Sequence, residues 1–293
     1  SGAEGIHHFW TMKDTLEIRN NAENASCGVV IGAGLLGIDL AAICGAQGID
    51  SKYIMRGDGW WRNAISKSGG EIIHKSLMDR NVVPVFNKEI KCFEESRGKV
   101  RAVVTTDGEK YEADFVGVAI GLDYNIELVQ DIDIECKGGI VVDEHMFTGV
   151  EGIYAAGDIA RYHDVIVEEE MQNGSWGSAK KQGLVAGENM VNGNDYKKFE
   201  WIPSYSITHF EYPIISFGHP TKGEKFLEKK YDKNEWRRLA FKQGRLIGGV
   251  LIGDVSSQSR YKKIIMEKME RVDRETSILD KKIDLESIGV RKT

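Results

Sequence analysis

The sequence predicts an α/β fold built on a parallel sheet, followed by a smaller domain of different texture. Short apolar runs suited to buried strands alternate with helix-period segments between residues 28 and 86. A glycine-rich turn at 32–37 joins the first such run to the first such helix. Beyond residue 200 aromatic residues become frequent, and hairpin signals replace the strand–helix alternation.

Taken in order, residues 1–26 read as loop, with a short polar helix over 12–23. Val29, Val30 and Ile31 form the first buried strand, and Leu36, Leu40 and Ile43 recur at helical spacing after the turn. Residues 51–55 make a second strand. Residues 69–82 make a helix whose buried side is Ile72, Ile73, Leu77 and Met78, and 82–86 make a third strand. This order implies right-handed crossovers and a parallel sheet. Asp107-Gly108 sits between two β-prone segments, a hairpin signal, and 115–120 is apolar enough to return to a buried sheet. Residues 139–144 and 152–158 are two further strand candidates. Residues 176–191 read as a helix with a slim side of Ala179, Gly183 and Ala186. A hairpin over 236–254 turns at Gln243-Gly244, and the charged stretch after it reads as partly helical.

A chain of 293 residues is long enough for more than one domain with its own core. The formal net charge of −6, with no basic run, argues against a nucleic-acid partner. No apolar window reaches the length of a membrane span and no signal peptide opens the sequence, so the expected compartment is cytoplasmic. Cys27, Cys44, Cys92 and Cys136 form no CxxC and no zinc knuckle. They read as reduced, with Cys44 in the core of the first helix. His7 and His8 are adjacent and point to different faces, so no metal site is expected.

Gly32-Ala33-Gly34-Leu35-Leu36-Gly37 matches GxGxxG, following a strand and opening a helix. Gly32 permits the tight turn. Gly34, lacking Cβ, lets a diphosphate approach the backbone, and Gly37 lets helix and strand pack closely. Free N–H groups of the first helical turn, where Leu35 and Leu36 stand, then hold the phosphates with the helix dipole. The alternative is a tight strand–helix turn with no ligand. About 20 residues on, an acidic residue would read a ribose 2′-hydroxyl; this sequence has Met55 and Arg56 there. Arg56 can accept a 2′-phosphate, which favours NADPH. It can equally be a solvated loop residue, or nicotinamide binding can have been lost; Asp58 is a substitute reader. Trp60 and Trp61 either stack on an adenine or cap the sheet.

"GIVVDEHMFTGVEGIYAAGDIA" at 139–160 resembles the second flavin-binding segment of the pyridine nucleotide–disulfide oxidoreductase superfamily. "WGSAKKQGLVAGENMVNG" at 176–193 resembles the helix that follows it, and "AIGLDYNIELV" at 119–129 the crossover between nucleotide and flavin domains, with Tyr124 in place of the usual proline. Together with "GAGLLGIDLA" and "LAFKQGRLIGGVLIGD", these segments are most similar to the NADH:rubredoxin reductase and nitrite reductase large-subunit flavoproteins. The resemblance implies a Rossmann-like NAD(P)-binding domain (27–120) inserted in an incomplete FAD-binding domain (1–26 and 121–199), followed by a small α/β C-terminal domain (200–293). It implies FAD contacts at Gly157 and Asp158, a ring near Trp176, Ala179 and Gln182, and a cofactor contact at Gly121. A nicotinamide would deliver a hydride to FAD, which would pass electrons to an acceptor protein or small molecule. The family's first GxGxxG unit, which holds the flavin's adenine diphosphate, has no counterpart before Cys27. The expectation is therefore a flavoprotein chain without that lobe, the lobe having been removed or being carried by a partner subunit. No catalytic acid, base or thiol is identified. A non-catalytic or partner-dependent subunit of a redox complex stays open as the rival, and a simple NADP-binding module as a third reading; a homo-oligomer also stays open.

Overall fold

The computed structural model describes residues 2–267 and 277–281. They fall into two compact units: residues up to Gly121, with Thr208–Pro213 and Lys230–Asn234, and the remainder.

In the first unit the elements are β1 (Ile6–His8), α1 (Met12–Ala22), β2 (Cys27–Ile31), α2 (Leu35–Gln47), β3 (Asp50–Ile54), α3 (Lys67–Met78) and β4 (Val82–Val85). They continue with β5 (Ile90–Ser96), β6 (Lys99–Thr105), β7 (Lys110–Glu112) and β8 (Phe115–Val118). A five-stranded sheet runs in the order β1-β8-β2-β3-β4, with every pairing parallel. Pro84 lies on its edge strand, where a missing N–H is tolerated. Val29, Ile31, Ile54, Val116 and Val118 form the core with Val100, Val103 and Ala113 from the neighbouring β-meander. That meander has the order β5-β6-β7, and its β6–β7 turn carries Gly108 at φ 87°.

Two details of the first unit differ from the expected pattern. Residues 1–26 do hold the expected polar helix, α1, opened by a Thr11–Asp14 capping box. They also supply an edge strand, because Ile6–His8 pairs in register with Val116–Val118. Three residues are too few to show a periodicity. Ile72, Ile73 and Leu77 are buried as expected, but Met78 is 52% exposed. It sits about 100° round the helix from Leu77, outside the stripe formed with Gly69, Gly70 and Ser76. Leu36, in the first turn of α2, is likewise exposed at 42%, whereas Leu40 and Cys44 are fully buried.

The second unit holds β9 (Ile140–Val142), β10 (Ala160–Asp164), β11 (Glu169–Met171) and α4 (Trp176–Asn192). It also holds β12 (Ser204–Ile207), β13 (Ile214–Gly218), β14 (Lys225–Lys230), β15 (Trp236–Lys242), β16 (Arg245–Ile252) and α5 (Gln258–Met266). β10 lies between β9 and β11, parallel to the first and antiparallel to the second. The strand expected over 152–158 is reduced to one bridge, Phe147 with Tyr154. Gly152 and Gly157 take φ of 78° and 89°, which leaves the β region, and the strand forms only from Ala160. Residues 236–252 do form the expected hairpin, with Gln243 and Gly244 both at positive φ. It belongs to a separate sheet of order β12-β13-β16-β15-β14. α5 covers that sheet through Tyr261, Ile264 and Ile265, and Tyr261 stacks on Phe217 at 5.3 Å. The helix expected after 254 is present as α5; residues 268–276 and 282–293 lie outside the described residues. Among the described residues no helix is long and apolar enough to cross a membrane.

Candidate functional site

The glycine turn stands at the C-terminal end of β2, on the rim of a cleft of about 1330 Å³. Parallel sheets place ligands there because the following helix turns its N-terminus towards the strand ends. The three glycines have separate causes. At Gly32, φ is 115° and an added Cβ would overlap the Ala119 carbonyl; at Gly37 it would overlap the Gly32 carbonyl, which also accepts from Tyr53 Oη at 2.8 Å. Burial pushes the Tyr53 phenol well up, keeping it a neutral donor. Fold packing therefore accounts for Gly32 and Gly37. Gly34 differs: nothing lies within 4 Å of where its Cβ would be, so the fold alone does not require glycine. It N-caps α2 at extended backbone angles and has no side chain to satisfy the first-turn N–H groups of Leu35 and Leu36. An anion seated against that turn would meet those donors, and a side chain at 34 would stand in its way.

The rest of the cleft is lined by the loop after β3, the start of the meander and the end of β8. Arg56, Arg62, Lys88 and Lys91 supply its cations. Lys88 bonds Asp107 and, at 2.6 Å, Glu109, and these bonds push its pKa far above the usual lysine range. Arg62 lies 3.9 Å from Asp58. Arg56 is exposed and has no ion-pair partner among the described residues, and it lines the cleft where Asp58 does not. Gly121, at φ 123°, ends the same lining. Trp61 also lines the cleft, whereas Trp60 is fully buried beneath it and donates Nε1 to the Gly34 carbonyl at 3.1 Å. Arg62, Lys91 and Tyr53 carry no sequence pattern that marks them; only the folded chain brings them near the turn.

In the second unit, Gly157, Asp158, Ala179 and Gln182 come together. The fully buried Gln182 accepts from Gly157 N at 2.7 Å and donates to Ser178 Oγ at 3.0 Å. A Cβ on Gly157 would lie 3.8 Å from Ala179 Cβ, and one on Gly174 3.4 Å from the Asp158 carboxylate. That half-buried carboxylate accepts no hydrogen bond among the described residues. The carboxylate is partly open to solvent, so it is available to a donor from outside the described residues. Tyr205 Oη donates to the Gly174 carbonyl; burial, then Asp158, raises its pKa to about 12. Tyr124 is shifted the same way, by the same causes. Trp176, expected near a ring, is 95% exposed. Among the described residues no cluster of His, Cys, Asp and Glu could hold a metal, and all four cysteines are free.

Comparison with known proteins identifies the family. Residues 203–269 match the family model described as the rubredoxin NAD+ reductase C-terminal domain. The chain is 28% identical over 265 residues to an NADH-rubredoxin oxidoreductase of Clostridium acetobutylicum, covering 90% of this chain and 64% of the relative. It is 34% identical over 182 residues to an NAD(P)H coenzyme A polysulfide/persulfide reductase of Pyrococcus horikoshii, covering 61% of this chain and 40% of the relative. The chain thus spans under two thirds of the length of these relatives. A ferredoxin reductase of Rhodopseudomonas palustris superposes with a TM-score of 0.87 at 19% identity, over 98% of this chain and 70% of that one, a likeness of fold. Residues 1–183 match the model described as pyridine nucleotide-disulphide oxidoreductase, and the chain belongs to that family of FAD- and NAD(P)H-dependent oxidoreductases.

Proposed function

We propose that this chain carries the nicotinamide site and part of the flavin site of an NAD(P)H-dependent FAD oxidoreductase that passes electrons to an acceptor protein. The observation that carries the reading is Gly34: an uncapped helix N-terminus opens on a cleft at the one motif glycine whose missing Cβ the fold does not need. Gly34 and the N–H groups of Leu35 and Leu36 hold the diphosphate, on a turn whose shape Gly32 and Gly37 permit. Arg56 faces the ribose and favours a 2′-phosphate, hence NADPH. The likeness to an NADH-rubredoxin oxidoreductase supports a small iron–sulfur protein as acceptor. Free cysteines fit a reducing cytoplasm.

Asp158, Gly157 and Ala179 fit a flavin, with Gln182 holding the Gly157 backbone. When bound, the flavin accepts two electrons from a nicotinamide and can release them singly. Its own diphosphate needs a cradle like that at 32–37, and the described residues contain one strand–GxGxxG–helix unit. The outer side of α4 supports a further polypeptide segment docking there: Trp176, Leu184 and Val191 are exposed apolar residues on it. Such a segment, in the same polypeptide or in a partner subunit, would complete the flavin site. The test is the FAD-to-protein ratio and the colour response. This chain alone is expected to hold far less than one FAD. With a family flavin-diphosphate lobe supplied, it should hold one, Asp158→Ala should weaken it, and anaerobic NADPH should bleach its visible band. Stoichiometric FAD on this chain alone contradicts the half-site; a loaded complex that binds NADPH without bleaching contradicts the oxidoreductase.

A further inference from the structure

The loop between β3 and α3 does more than line the cleft. Its Trp61 N–H donates to the Ala33 carbonyl at 3.2 Å, and the Trp60 indole donates to the Gly34 carbonyl at 3.1 Å. A trans peptide is planar, with its C=O and N–H pointing opposite ways. Holding the carbonyls of Ala33 and Gly34 therefore fixes the N–H groups of Gly34 and Leu35, two donors of the proposed diphosphate cradle. The loop is held in turn. Trp60 N–H donates to His74 Nε2 on α3 at 3.3 Å, which requires that nitrogen to carry a lone pair. The imidazole packs on Phe86 at 4.8 Å, with Gly59 and Gly70 beside it. Trp61 sits at φ 45°, a conformation that costs a non-glycine residue energy and persists only where its surroundings impose it.

We propose that Trp60 and His74 are positioning residues for nicotinamide-nucleotide binding: neutral His74 holds the loop, and the loop aims the Gly34 and Leu35 N–H groups at the diphosphate. The inference rests on the nucleotide reading of the glycine turn. Protonation of His74 removes the acceptor for Trp60 N–H and releases the clamp. Burial lowers the His74 pKa from 6.5, partly opposed by the Glu71 carboxylate one turn earlier on α3. Glu71 itself lies 3.9 Å from Lys230. Gly59 and Trp60 of the loop and Phe86 after β4 lie against the ring, while Arg56, Asp58 and Arg62 are exposed. A histidine depressed in this way stays neutral above pH 6.5, so affinity is flat there and falls on acidification below it.

The experiment titrates NADPH and NADH against the protein from neutral pH to well below 6.5, comparing parent with His74→Gln. Glutamine keeps an acceptor at the Nε2 position but does not titrate, and the parent-to-variant ratio cancels the titration of the 2′-phosphate. Affinity of the parent is expected to fall several-fold more than that of His74→Gln on acidification, for both nucleotides. Trp60→Phe should raise Kd about two- to ten-fold at neutral pH, the equivalent of one neutral hydrogen bond. The difference in indole emission between parent and Trp60→Phe should shift over the same pH range without nucleotide. Equal pH profiles for parent and His74→Gln, or unchanged affinity in a folded Trp60→Phe, overturn the clamp alone. A parent that binds neither nucleotide at neutral pH overturns the nucleotide reading, and the clamp with it.

Discussion

Gly37 and Arg56 show how differently single residues serve one site. Gly37 is fixed by packing, so Gly37→Ala should cost roughly 1–3 kcal/mol or more, because the new methyl meets a backbone carbonyl that cannot step aside. Thermal or urea unfolding measures it, and a neutral substitution would contradict the packing. Arg56 has no such duty: it is exposed and unpaired among the described residues. Arg56→Ala should leave stability unchanged and weaken NADPH by about ten- to a hundred-fold, the worth of a charge-assisted hydrogen bond, with little effect on NADH. Calorimetric titration with both nucleotides decides. A preference for NADH that ignores the substitution would point to backbone contacts instead. The glycine pattern was legible in the sequence because Gly32 and Gly37 answer backbone constraints at a fixed spacing around Gly34. His74 was not, and Trp60 was legible without this role, since both depend on a loop that folds back across 26 residues to Gly34.

At the level of elements, the alternation of strand and helix from 28 to 86 was legible because buried parallel strands are continuous apolar runs. Elements shorter than a period were not: β1 has three residues, and 152–158 has strand-like composition but glycines at positive φ. The edges of helical stripes misled as well, as Met78 does. In the second unit, Glu169 of β11 lies between Lys222 at 2.8 Å and Lys242 of β15 at 2.6 Å. Lys222 first, and Lys242 with it, hold its pKa down from 4.5 to about 2. A depressed carboxylate stabilises the fold above its unfolded pKa and loses that contribution as pH falls. The melting temperature of the parent should therefore drop more steeply than that of Glu169→Gln between pH 4.5 and about 2. Parallel curves for the two proteins would show that the bridge contributes nothing, as exposed pairs often do.

For the whole molecule, one chain carries two candidate sites: a glycine turn over a cleft in the first unit, and in the second an Asp158 carboxylate that accepts no hydrogen bond among the described residues. The sequence offered the glycine turn through its motif and Asp158 through the family resemblance. It did not show which side chains each site leaves free and which it has already committed, and that distinction separates Arg56 from Lys88 and Gly34 from Gly37. The central claim is that the turn at Gly34 binds a nicotinamide dinucleotide by its diphosphate. Calorimetric titration of NADPH and NADH against the parent and Gly34→Val tests it most directly. With open space at that Cβ, the valine variant should fold with the parent's stability while its Kd rises by at least ten- to a hundred-fold, the loss of one or more charge-assisted hydrogen bonds. A folded Gly34→Val that binds nucleotide as tightly as the parent would contradict the account.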